Sequence, residues 1–248
     1  MKASLEKNLS RLRLTCIREV FDETLKQSIS EDLGYENFLI QLLDYECNMR
    51  DEKKTIRLLR ESNIPIEKSF ENFDLKRLPL KIKQKIKTLE DGSFLDRKEN
   101  ILAFGKPGSG KTHLLCALAL DQIYKGRRML FCTCSNLVQH LLVAKKDLRL
   151  PEYLKKLSKF DGIIIDDIGY VQQSREEMEV LFTLLADRYE RGSILLTSNL
   201  PFSKWNQIFK DEMTTAAAID RLVHHSIILE INRDSYRTEV AKKNLNKQ

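Results

Sequence analysis

The chain has 248 residues, 42% of them hydrophobic, which suffices to bury the core of one ordinary domain with an appendage and excludes a wholly disordered chain. Its 42 Lys and Arg against 36 Asp and Glu leave a net charge of +6, which fits an anionic partner, nucleic acid first, but is too mild to prove one. The opening MKASLEKNLSRLRL spreads charges among its apolar positions without a small-residue cleavage site, so it does not read as a signal peptide, and no run approaches a membrane span. Cys16, Cys47, Cys116, Cys132 and Cys134 are odd in number and fall in helix-like or strand-like runs; this argues against a disulfide framework and for a cytoplasmic protein.

In chain order, Leu5, Leu9, Leu12, Ile17, Phe21 and Leu25 recur at helical spacing, and Ser30, Glu31 and Asp32 offer the N-terminal cap region of a further helix. Residues 1–62 are therefore expected to form a small all-α domain. Its last helix carries Arg50, Lys53, Arg57 and Arg60 on one face, a stripe that suits either the phosphates of a duplex or plain solvation. Residues 63–100, with Pro65, Pro79 and the basic KRLPLKIKQKIK, read as a linker that packs on the next domain and ends in a helix.

From residue 101 to 248 short apolar runs alternate with helical stretches: ILAF, RMLFCTC, GIIIDD, SILLTSN and SIILEI. This pattern predicts an α/β domain with a five-stranded, mostly parallel sheet and helices on both faces. Cys132 and Cys134, one residue apart in the second run, would share a strand face; two small strand residues are the plainer reading than a metal site, which needs a second ligand pair.

GKPGSGKT, residues Gly105, Lys106, Pro107, Gly108, Ser109, Gly110, Lys111 and Thr112, stands directly after ILAF and before a helix-like stretch. Glycines there let backbone N–H groups turn inward around phosphate oxygens above the positive end of the helix. Lys111 would contact the β and γ phosphates of ATP, and the Thr112 hydroxyl would bind Mg2+. His113 follows as the next helix residue and is grouped with the loop, although its type implies no role. GIIIDD ends a strand with the carboxylates such a loop needs. Asp166 would hold Mg2+, and Asp167 stands where a hydrolytic ATPase orients the attacking water, one methylene shorter than the usual glutamate. In the next run Asn199 can reach the γ phosphate and that water if its strand lies beside the loop strand.

A P-loop, one strand, an acidic strand, a sensor strand and a late Asp-Arg pair together resemble the AAA+ ATPases. IIIDDIGY, LLTSNLPFSKW, AAAIDRLVHHS and DSYR are similar to the IstB proteins, ATP-binding helpers of transposases, and to the related helicase loader DnaC. The helical YENFLIQLLDYECNMRDEKKTIRLLRESNIP extends the likeness over nearly the whole chain. The resemblance implies that Arg221, which spacing alone would leave as a surface charge, enters the neighbouring subunit's nucleotide site in a homo-oligomer. It implies a second nucleotide-sensing role for Arg237, although Asn232 and Arg233 stand where relatives have a glycine nearby. Too few residues follow Asn232 for a full helical lid.

SNLVQHLLVAKKDLRLPEYLKKLSKF reads as two helices split at Pro151; the resemblance places a DNA-channel insertion there. Its Lys145, Lys146, Arg149, Lys155 and Lys156 suit phosphates better than base edges, although solvation is the alternative. The expected function is an ATP-dependent oligomer that assembles on duplex DNA with little sequence preference and stimulates a partner transposase, without membrane attachment. A DnaC-type helicase loader is the alternative. A small-molecule kinase would need a lid and acceptor pocket that the sequence does not display, and a scaffold that never hydrolyses ATP stays open.

Overall fold

The computed structural model describes residues 2–169, 174–207 and 212–231. The chain divides into two compact units, Met1–Arg57 and Leu58–Gln248.

The first unit holds α1 (Lys2–Arg11), α2 (Thr15–Ser30) and most of α3 (Tyr35–Ser62). The continuous leucine pattern is broken at Arg13, which adopts φ 57° and turns the chain between α1 and α2. Leu9, Ile17 and Leu42 form the small core, and the Phe21 and Phe38 rings meet edge to face at 5.7 Å. Ser30, Glu31 and Asp32 close α2 and do not cap the next helix. The Ser30 hydroxyl and the Glu31 N–H both donate to the Gln27 carbonyl, and Asp32 at φ 51° ends the helix before Gly34.

Leu14 offers no capping side chain to α2, so its first N–H groups find a partner elsewhere. The buried Glu46 of α3 accepts from Cys16 N–H at 2.9 Å and Ile17 N–H at 3.0 Å. Arg50 donates through Nε to the other Glu46 oxygen at 2.8 Å and through Nη2 to the Arg13 carbonyl at 2.7 Å.

The second unit is built on a parallel sheet of β1 (Asn100–Phe104), β2 (Met129–Thr133), β3 (Gly162–Ile168), β4 (Ser193–Ser198) and β5 (Ser226–Glu230), in the order β2-β3-β4-β1-β5. Helices covering both faces account for the fully buried, unalternating strands β1 and β4. On one face, α4 (Leu80–Leu89), α5 (Ser93–Asp96) and α6 (Lys111–Tyr124) pack on Ile101, Ala103, Ile164, Leu195 and Leu229. On the other, α7 (Cys134–Lys146), α8 (Leu150–Leu157), α9 (Arg175–Arg188) and α10 (Glu212–Val223) pack on Leu102, Ile163, Ile165, Ile194 and Leu196.

Cys134 opens α7 and does not lie in β2: the Thr133 hydroxyl accepts from Asn136 N–H and caps the helix there. Cys132 and Cys134 therefore share no strand face, and no metal-holding cluster occurs among the described residues. Burial pushes the Cys116 and Cys132 thiols up to about 12, which keeps them protonated and inert. The α7–α8 break falls at residues 147–149, with Leu148 at φ 58°, and Pro151 lies in the first turn of α8, where its missing N–H costs nothing.

Buried Arg188 ties the amino ends of β3 and β4. Its guanidinium donates to the carbonyls of Leu157, Phe160, Asp161 and Ser193, and burial lowers its pKa to about 10. No described helix is long and apolar enough to cross a membrane.

Candidate nucleotide site

β1 ends at Phe104 and α6 begins at Lys111, so residues 105–110 form the loop at the carboxyl end of a central strand. Gly105, at φ 154°, approaches the backbone so closely that a Cβ would lie 2.2 Å from the Ile231 carbonyl oxygen. Gly110 adopts φ 98° as the N-cap of α6, under the Phe73 ring. Lys106 and Pro107 are exposed, Gly108 is half-buried, and the buried Ser109 hydroxyl has no hydrogen-bond partner among the described residues.

Lys111 folds back over its own loop, donating through Nζ to the Gly105 carbonyl at 2.8 Å and the Lys106 carbonyl at 3.0 Å. An ammonium beside a glycine-rich loop at a helix N-terminus supplies the positive charge that a polyphosphate requires. Thr112 Oγ1 donates to Asp166 Oδ1 at 2.7 Å. This hydroxyl and carboxylate are hard oxygen ligands of the kind Mg2+ takes, so the residues present fit the metal.

Asp166 Oδ1 also accepts from Thr197 Oγ1 at 2.7 Å. Asp167 is exposed, at φ 67°, and its N–H donates to the same Thr197 oxygen at 2.8 Å. β4 lies beside β1 with Ser198 opposite Phe104, and Gly105 N–H donates to the Ser198 carbonyl. Asn199 thus stands next to the loop, as expected if its strand adjoined β1. It shares a cavity of about 280 Å3 with Gly105, Lys106 and Glu230, and its Oδ1 is buried without a partner among the described residues.

A second cleft, also about 280 Å3, opens over residues 108–113 and Asp166, and its opposite wall is Lys68, Asn72, Phe73, Asp74 and Arg77. His113 joins the two sides: its Nε2 pairs with the Ser69 carbonyl at 2.9 Å, and its ring lies 5.0 Å from that of Phe73. Sequence reasoning missed these five residues because no motif spacing marks them. The aromatic-polar FENFD stretch inside the segment read as linker was the available signal.

Arg221 lies exposed in the last turn of α10. The neighbouring Leu222 carbonyl accepts from Asn100 Nδ2 at 3.1 Å, which fixes this turn at the start of β1. The loop leaves the other end of that strand, about 16 Å away at the usual rise per residue, farther than an arginine side chain extends. Arg221 is thus separated from the loop of its own chain by the length of the sheet.

The profile of the IstB-like ATP binding proteins matches residues 7–244. The chain belongs to this family. It is 40% identical over 234 residues to an insertion sequence ATP-binding protein of Sinorhizobium fredii, covering 94% of this chain and 78% of that one. It is 37% identical to the insertion sequence IS21 ATP-binding protein of Pseudomonas aeruginosa, covering 96% and 90%. Among solved structures, the DnaC helicase loader superposes with a TM-score of 0.56 at 18% identity, covering 67% of this chain and 97% of that chain. The replication initiator DnaA bound to AMPPCP and single-stranded DNA gives 0.58 at 20% identity, covering 75% and 56%. The IstB-like chain has the P-loop AAA+ fold.

Two sets of basic residues of the IstB-like chain remain. Arg50, Lys53, Arg57 and Arg60 are exposed on α3, although Arg50 is bound to Glu46 and Lys53 Nζ lies 3.4 Å from Cys16 Sγ. Lys146, Arg149, Lys155 and Lys156 are exposed on α7, α8 and the turn between them, whereas Lys145 pairs with Glu179 at 2.8 Å. Arg237 lies outside the described residues.

Proposed function

We propose that the chain is an ATP-hydrolysing, DNA-binding switch that assembles on duplex DNA with little sequence preference and regulates a partner transposase. The observation that carries this reading is the placement of Lys111, Thr112, Asp166, Asp167 and Asn199 at the loop end of the sheet, with Arg221 at the opposite end of β1. ATP would lie against residues 105–113, and Thr112 and Asp166 would hold Mg2+, which when bound neutralises phosphate charge. Lys111 exchanges its loop carbonyls for phosphate oxygens. Asp167 orients a water for attack, its short side chain making the rate slow, and Asn199 holds that water and the γ phosphate. Arg221 of one subunit completes the site of the next, and Arg237 senses nucleotide in its own, so an assembled homo-oligomer is the active form.

In this reading residues 1–62 serve DNA, partner or self-association, residues 63–100 link, and residues 101–248 are the cytoplasmic motor. The exposed cations of α3, α7 and α8 contact phosphates, which makes binding salt-sensitive. The two insertion-sequence proteins match at 40% and 37% identity over nearly the whole chain, whereas the DnaC likeness is one of fold, which favours transposition over helicase loading.

Assembly mass, measured with and without ATP and a mixed-sequence duplex, tests the proposal. A large assembly that needs both, and that Lys111→Ala and Arg221→Ala each abolish, is expected. A monomer that turns over ATP and ignores DNA would sink it, and a preference for single strands would move the reading to a loader.

A further inference from the structure

Thr197 is 1% exposed, carries no charge and belongs to no loop, yet its single hydroxyl joins the two acidic residues of the site. The reason lies in the register of β3 against β4. Ile165 pairs with Leu196 and Ile168 with Ser198, so Asp166 and Asp167 together stand opposite Thr197 alone. This is a β-bulge, a device that re-aims a side chain by placing two residues against one.

Alternation along β4 puts Thr197 on the same sheet face as Leu195, the face α6 covers, and Asp166 shares that face with Ile164. Thr197 therefore looks toward Thr112, and both hydroxyls donate to one carboxylate oxygen at 2.7 Å. With its proton committed to Asp166, the Thr197 oxygen has only lone pairs to offer, and it accepts the Asp167 N–H at 2.8 Å. Asp167 meanwhile holds φ 67°, a left-handed conformation that is uncommon for non-glycine residues and more accessible to aspartate than to most.

We propose that Thr197 is a positioning residue for hydrolysis. Its hydroxyl pins the Asp167 backbone in the left-handed conformation and locks the Asp166 carboxylate toward Thr112. Through two residues of β4 it ties both to Asn199, so the metal-holding, water-orienting and γ-phosphate-sensing groups move as one unit. The inference rests on the hydrolytic role proposed above for Asp167.

The test compares Thr197→Val, which keeps the volume and the β-branch, with Thr197→Ser, which keeps the hydroxyl. DNA-stimulated ATP turnover, the KM for ATP and thermal unfolding of the full chain are measured for both. Removal of such an outer partner is expected to lower kcat about 10- to 100-fold, with KM near the wild-type value. The serine variant should restore kcat. Should the valine variant fail to fold, Thr197→Ala replaces it in the comparison. A kcat for the folded valine or alanine variant equal to wild type, or a serine variant as slow as valine, overturns the proposal and leaves the hydrolytic reading standing. A wild-type chain that does not turn over ATP on DNA overturns both.

Discussion

Glu46→Gln isolates the bond network that closes the N-terminal helices. The carboxylate accepts two backbone N–H groups of α2 through one oxygen and Arg50 Nε through the other. Burial raises its pKa, but the bonds from Ile17, Arg50 and Cys16 outweigh that and hold it below the ordinary 4.5. A glutamine retains one acceptor oxygen for the N–H groups, while its amide presents hydrogens to a guanidinium that also donates. Loss of one charge-assisted bond and weakening of two others costs about 2–4 kcal/mol, taking roughly 1.5–3 kcal/mol for each bond to a charged group.

Amide hydrogen exchange of the full chain reads this locally: Cys16 and Ile17 should exchange about 30-fold faster or more in the variant, at 1.4 kcal/mol per tenfold. Because the folded pKa is depressed, the stabilisation is fully present above the unfolded value near 4.5. It fades as pH falls through the lower folded value, so the two proteins should converge in strong acid. Equal exchange at neutral pH would refute the reasoning that Glu46 is the cap of α2.

Arg221→Ala should leave nucleotide binding by the single chain unchanged while lowering DNA-stimulated ATP turnover about 1000-fold or more, as checked by titration and steady-state kinetics. Replacing Lys146, Arg149, Lys155 and Lys156 together with Gln should weaken binding alike on unrelated duplexes. The logarithmic salt slope should fall by about 0.9 for each phosphate that the variant no longer neutralises. Gly192→Ala should destabilise the ATPase unit by about 1–3 kcal/mol in thermal denaturation, because its Cβ would lie 2.2 Å from Arg188 Nη2 and push the guanidinium off its carbonyls.

The alternation of apolar runs with helical stretches was enough to predict five parallel strands, since strands buried on both faces must be continuously apolar. The loop at residues 105–112 and the aspartates after GIII were legible for a related reason: phosphate and metal chemistry demands particular residue types at short spacing. Local pattern misplaced Ser30–Asp32, Cys134 and the α7–α8 break, because the end of one helix and the start of the next share the same polar and left-handed vocabulary.

What tertiary structure alone decided involves partners distant in sequence. Glu46 caps a helix 30 residues upstream because α2 has no capping residue of its own, and nothing near either position signals the need. Residues 68–77 become a wall of the candidate nucleotide cleft only because they fold over α6. Thr197 gains its role through a one-residue mismatch between two strands, which depends on the register of neighbours 30 residues apart and therefore cannot be read from either strand by itself. Residue type and short spacing thus set the fold class and the chemistry of the loop, while register and packing chose which further side chains stand beside it.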